Sequence, residues 1–232
     1  MRTTTGASEW ETRLGWARGL TADDPAVRSA ALDRLAAAQT EVGRAVDCLN
    51  AVYRRRLWIG RATALKQYER ATSRSLPHAL WDGPADQVAA WPGLPFALLY
   101  LEWEARHPQE WTRHAKDWGT KESMIRLVAE AVQDKSARGR LIDLTEIVVQ
   151  RAYRCKDREY VRVARAVDSD ELRGRLAASA RSDNPWAQCH AGYVLWLLDR
   201  PELPNTRHVW QTWLRTKWPR RTPDRGETRS AC

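Results

Sequence analysis

The sequence is poor in the motifs that usually disclose an activity. It holds no G-x-G-x-x-G, no G-x-x-x-x-G-K-[ST] and no H-E-x-x-H. Those absences remove the common routes to a dinucleotide, a cradled phosphate and a helix-borne zinc. Asp23-Asp24 lacks a third spaced carboxylate, so a magnesium–diphosphate site is not supported. Cysteine is scarce: Cys48, Cys155, Cys189 and Cys232 stand far apart and form no C-x-x-C pair. That spacing argues against zinc or a disulfide scaffold and suits a reducing compartment. The N-terminal MRTTTGASEW has no apolar h-region, and no run approaches the ~18 apolar residues of a membrane span. A cytoplasmic location is therefore expected. No segment alternates with period two, so no strands are predicted and the fold class is all-α: a multi-helix bundle or an irregular helical-repeat array.

What is present is charge and indole. The chain has 232 residues, enough for one large helical domain or two small ones. Its net charge of +9, with a sequence pI near 9.8, favours an anionic partner such as nucleic acid, an acidic protein or a membrane surface. Thirteen tryptophans stand against a single phenylalanine, Phe96. Buried indoles need an acceptor for their N–H, and exposed ones serve as interface contacts or stacking platforms. Several fall at helical core spacing, where filling gaps between helices is the simpler reading.

Along the chain, Ser8-Glu9-Trp10-Glu11 reads as a capping box opening a short helix that Gly19 can end. Asp24-Pro25 is an N-cap followed by proline at the first helical position. From Val27 to Leu57 apolar residues recur at steps of three and four without a slip, which predicts one long helix. A second helix over Arg61 to Ser75 folds back after Ile59-Gly60. Residues 1–76 thus form an N-terminal helical region, and the proline- and glycine-punctuated stretch 77–95 is the candidate domain boundary. Residues 96–218 are assigned to a C-terminal helical domain. It begins with FALLYLEW, apolar nearly all round and so predicted to be the most buried helix. Asp168 with Glu171, Asn184-Pro185 and Pro204-Asn205 open further helices. Residues 219–232 read as a basic, non-periodic tail.

The stretch Leu141–Val167 is the richest in chemistry. As one helix it places Arg151, Arg154, Arg158, Arg162 and Arg165 within about 80° of arc. Ile142, Val149, Tyr153, Tyr160, Val163 and Val167 fall opposite them. One face would pack a core and the other would carry a ladder of guanidiniums aimed at phosphates. Cys155-Lys156-Asp157 offers a turn that would split the ladder, and a solvated face kept for solubility is the plainer alternative.

Asp24-Pro25-Ala26-Val27-Arg28-Ser29-Ala30-Ala31-Leu32-Asp33-Arg34-Leu35 resembles the second helix of a HEAT repeat, and Asn184-Pro185-Trp186-Ala187-Gln188-Cys189-His190-Ala191-Gly192-Tyr193-Val194-Leu195 is similar at the matching places. The resemblance implies stacked helix pairs whose concave face binds protein or nucleic acid. It covers two short segments, and no regular 40-residue period joins them. One HEAT-like enzyme family, the small alkylpurine DNA glycosylases, is also basic and tryptophan-rich, but its active site does not map onto WTRHAKD at Trp111–Asp117 motif by motif.

Other constellations are weaker. Glu110 and His114 stand at i, i+4 but need a further ligand, and Pro108 pushes His107 out of the helix. Adjacent residues in a helix diverge by about 100°, so Cys189 and His190 do not make a nucleophile–base dyad. His78, near Trp81-Asp82 and Asp86, makes no specific constellation. The expectation is a non-enzymatic module without metal or cofactor that binds nucleic acid or another polyanion through the arginine face. A protein-interaction scaffold using exposed tryptophans is the alternative, and a helical-repeat enzyme acting on nucleic acid is the second alternative.

Overall fold

The computed structural model describes residues 3–55, 60–81, 83–84, 87–131 and 134–217. Among them are eleven α-helices, a few 3-10 turns and no strand. No described helix is long and apolar enough to cross a membrane. The chain divides into two compact units, Met1–Thr120 and Lys121–Cys232. The division thus falls after the proline-rich 77–95 stretch, which lies inside the first unit.

In the first unit, α1 (Thr3–Leu14) runs into a 3-10 turn (Gly15–Thr21). Ser8 sits inside α1, so it does not cap it. Its carbonyl accepts the Thr12 hydroxyl, and Glu11 pairs forward with Arg18 at 2.8 Å. Helix α2 (Pro25–Arg54) is the unbroken helix that the 3/4 spacing predicts, capped by Asp24, whose carboxylate accepts the Ala26 amide at 2.8 Å. The predicted end at Leu57 lies outside the described residues. Gly43 does not break the helix, because that side is open to solvent and no partner demands a bend. The return into α3 (Arg61–Thr72) turns at Gly60, whose φ of 92° favours glycine.

Helix α4 (Leu94–Arg106) is the hub. Phe96, Leu98, Leu99, Leu101 and Trp103 are all buried, as the apolar run FALLYLEW predicts. It packs on the 3-10 turn and on α5 (Pro108–Ala115). Gly93, just before it, lies where Trp10 and Trp91 close on each other edge to face at 5.4 Å. A Cβ there would stand 2.3 Å from Trp91 and 2.7 Å from Trp10, so only glycine fits.

Helix α6 (Trp118–Val128) is opened by Asp117, whose carboxylate accepts the Thr120 amide at 2.9 Å. The second unit is built on α7 (Lys135–Val149), α8 (Tyr160–Ala166), α9 (Asp170–Ala180), α10 (Pro185–Leu198) and α11 (Arg207–Lys217). Helices α9 and α10 form a hairpin, and α10 also packs on α7 and α8. Two starts differ from the sequence reading. Ser169, not Asp168, caps α9 by accepting the Leu172 amide, while Asp168 is drawn off to Arg173 at 2.8 Å. At α11 the Thr206 hydroxyl accepts the Val209 amide, and Asn205 turns inward. The 219–232 tail lies outside the described residues.

Candidate functional site

The arginine ladder is not one helix face. Helix α7 stops at Val149, an irregular segment follows, and a 3-10 turn (Asp157–Glu159) leads into α8. In an uninterrupted helix the Gln150 carbonyl would accept the Arg154 amide. Here that carbonyl accepts Asn184 Nδ2 at 2.6 Å, and the Arg154 amide donates to Asp157 Oδ2 at 2.8 Å. The chain then passes through Lys156 with a positive φ of 68°. Asp157 therefore does not cap the helix that follows; its carboxylate reaches back to the Arg154 amide instead.

The reason lies in Lys121, a fully buried lysine whose Nζ is 2.7 Å from Asp157 Oδ1. A buried ammonium needs a buried carboxylate with its other lone pairs filled. Arg151 supplies a second partner, its two terminal nitrogens each 3.2 Å from one oxygen of Asp157. Outside this hub, Glu122 pairs with Lys156 at 2.6 Å and with Arg126, which also reaches Glu159 at 3.1 Å.

The five arginines thus have unlike fates. Arg151 is held by Asp157. Arg154 is anchored through its backbone amide, with a half-buried side chain. Arg165 donates to the carbonyls of Leu197, Arg200 and Leu203, at 3.3, 3.2 and 2.7 Å, and so closes the C-terminal end of α10. Among the described residues, the guanidiniums of Arg158 and Arg162 make no hydrogen bond or ion pair. Arg162 is exposed and Arg158 is half-buried.

Arg158 borders a cavity of about 40 Å³ whose wall is largely apolar, with Tyr153, His190, Tyr193 and Trp210 around it. The rings form a connected set. His190 lies 5.9 Å from Trp186 and 6.1 Å from Trp210, and Tyr193 meets Trp210 edge-on at 4.6 Å. Tyr193 donates to Asn205 Oδ1 at 3.0 Å, while the Asn205 amide donates to the Arg158 carbonyl. Those bonds fix where the 3-10 turn presents Arg158. Burial pushes the Tyr193 hydroxyl up to about 12 and holds the His190 imidazole below its ordinary value. Tyr153 is 44% and Trp186 47% exposed, and they are the only exposed large apolar residues described in the second unit.

The surplus charge is concentrated in the same unit. Lys121–Cys232 holds 22 Lys and Arg against 15 Asp and Glu, whereas Met1–Thr120 holds 16 against 14. Compared with models of protein families, with curated proteins and with solved structures, the chain matches none. What the site does is therefore argued from its own geometry.

The remaining candidates do not converge on chemistry. Glu110 is engaged by Arg28 at 3.2 Å, and no group of three or more His, Cys, Asp or Glu side chains is placed to hold a metal among the described residues. Burial pushes the Cys189 thiol up to about 11, far from a thiolate nucleophile. Cys48 and Cys189 are free, and Cys155 is disulfide-bonded, so the wide cysteine spacing does not after all speak for a reducing compartment. In the first unit Trp81 donates to Thr120 Oγ1 at 2.9 Å, and that hydroxyl donates to Asp117 Oδ2 at 2.8 Å. The His78 ring sits 4.7 Å from Trp81, without a bond to Asp117.

Sequence reading places Tyr153 on the buried face, and the structure puts it outside because the helix ends first. It passes over Lys121. The available signal was its spacing: Lys121, Met124, Ile125 and Val128 lie on one stripe, all buried, and a lysine on such a stripe demands a carboxylate elsewhere.

Proposed function

We propose that the Lys121–Cys232 unit binds nucleic acid or another polyanion, using Arg158 and Arg162 rather than all five arginines. The observation that carries this reading is two uncommitted guanidiniums, Arg158 on the border of an aromatic cleft and Arg162 exposed on α8, within the unit that holds most of the net charge. Arg151 and Arg165 are committed to the fold and add only to the long-range field. The HEAT-like likeness belongs to this proposal, since Asp24 and Asn184 both open helices that they cap themselves.

A protein-interaction role is favoured by one observation, the 53% exposed Trp81 held rigid by its bond to Thr120. Action on a flipped-out base is disfavoured by size. The cavity of about 40 Å³ is far below the roughly 150 Å³ that accepts benzene.

The test is the salt dependence of binding. Reversing Arg158 and Arg162 to Glu is expected to weaken retention on DNA and RNA of every sequence alike. The plot of log affinity against log salt flattens by about 0.7–0.9 for each phosphate no longer held. An unchanged slope in the double variant sinks the proposal.

A further inference from the structure

The two exposed aromatic residues of the second unit are not scattered. Tyr153 stands in the segment between α7 and the 3-10 turn, and Trp186 in the first turn of α10. The bond from Asn184 Nδ2 to the Gln150 carbonyl, 2.6 Å long, ties those two segments together. His190 joins them further, because it lies 5.9 Å from Trp186 and lines the same cavity wall as Tyr153. Arg158 borders that wall, and Arg162 follows it four residues on in α8.

Exposed rings beside uncommitted guanidiniums suit a ligand with both planar faces and phosphates. A duplex offers phosphates but keeps its base faces stacked inside. The cavity is too small to swallow a whole base, so contact is made on its rim. Resting on the polyanion reading above, we infer that this site takes single-stranded nucleic acid, stacking unpaired bases on Tyr153 and Trp186 while Arg158 and Arg162 hold the adjoining phosphates. Stacking reads no hydrogen-bond pattern, so the preference is for strandedness and not for sequence.

The experiment uses the full chain and three labelled probes at one salt concentration: an oligo(dT) of roughly ten nucleotides, a duplex of the same length, and inorganic polyphosphate of matched charge. The oligo(dT) is expected to bind most tightly. Tyr153→Ala and Trp186→Ala are each expected to weaken it about tenfold and to leave polyphosphate unchanged. Tyr153→Phe and Trp186→Phe keep a ring and are expected to retain binding, which also separates stacking from loss of fold. Alanine variants that bind oligo(dT) like the unaltered protein overturn the inference and leave the polyanion reading standing. Equal losses on oligo(dT) and polyphosphate overturn it too, since the rings then only shape the unit. If the unaltered protein binds none of the three probes, the polyanion reading fails and this inference with it. Displacement of oligo(dT) by an equal concentration of an acidic, tryptophan-bearing peptide reassigns the rings to a protein partner.

Discussion

Lys121 and Asp157, thirty-six residues apart, meet through a 2.7 Å contact with both side chains almost wholly out of water. The pair decides where the arginine-rich segment bends, because Asp157 must also collect the Arg154 amide and the Arg151 fork. Replacing Asp157 with Asn leaves two cations under-compensated. The expected cost is about 3–5 kcal/mol, read as a lower urea midpoint. A loss below about 1 kcal/mol would show that water or a neighbour already screens Lys121.

Arg165 and Arg162 lie three residues apart and are predicted to behave differently. Arg165→Ala removes the donor to the Leu197 carbonyl in the last turn of α10 and to the Arg200 and Leu203 carbonyls just beyond it, and is expected to cost about 1.5–3 kcal/mol. Arg162→Ala touches no partner among the described residues and is expected to leave the melting curve in place. Equal effects would refute the division of the ladder into structural and free members.

The interior of the first unit is testable at Leu98. It is buried on α4, and Leu98→Ala is expected to cost about 2–5 kcal/mol in denaturant unfolding. A negligible loss would mean that the site collapses onto the gap.

The pH dependence turns on His190. Burial holds it below the ordinary value of 6.5, with Arg151 adding to the depression, while Asp157 and the carbonyls of Val149 and Arg151 oppose it. Its folded form resists the proton that the unfolded chain takes up near 6.5. Stability is thus complete above that value and declines as pH falls below it, towards the folded pKa. The difference in urea midpoint between the protein and His190→Gln is therefore expected to shrink from neutral pH to about pH 5.5. Taking the difference cancels His78 and His107, which burial also depresses. A constant difference across that range would show that His190 does not titrate with unfolding.

The legible part of this molecule was what repeats locally. The unslipping spacing from Val27 onward, the Asp24 and Asn184 caps and the apolar run at Phe96 each state their structure within a few residues. The start of α9 is ambiguous by one residue in the sequence, because Ser169 and Asp168 are both good caps and Arg173 decides between them. The ladder departs from its periodicity for a different reason. Its periodicity is real, but a carboxylate thirty-six residues from Lys121 takes one amide away from the helix. Tyr153 left the buried face as a result, and with it moved the cleft.

Arginine predominates over lysine throughout the chain, and the geometry of the second unit gives that bias a physical sense. Arg151 grips both oxygens of Asp157, Arg165 reaches three carbonyls, Arg173 spans Asp168 and Asp199, and Arg175 spans Asp143, Glu146 and Glu171. Arg151, Arg173 and Arg175 each use a planar fork at more than one prong, which a single ammonium on a flexible stem does not reproduce, whereas Arg165 makes its three contacts through one terminal nitrogen. A version of this unit recoded with lysine would keep every charge and still lose its stitching, so two proteins of matched net charge would differ in whether they hold their shape.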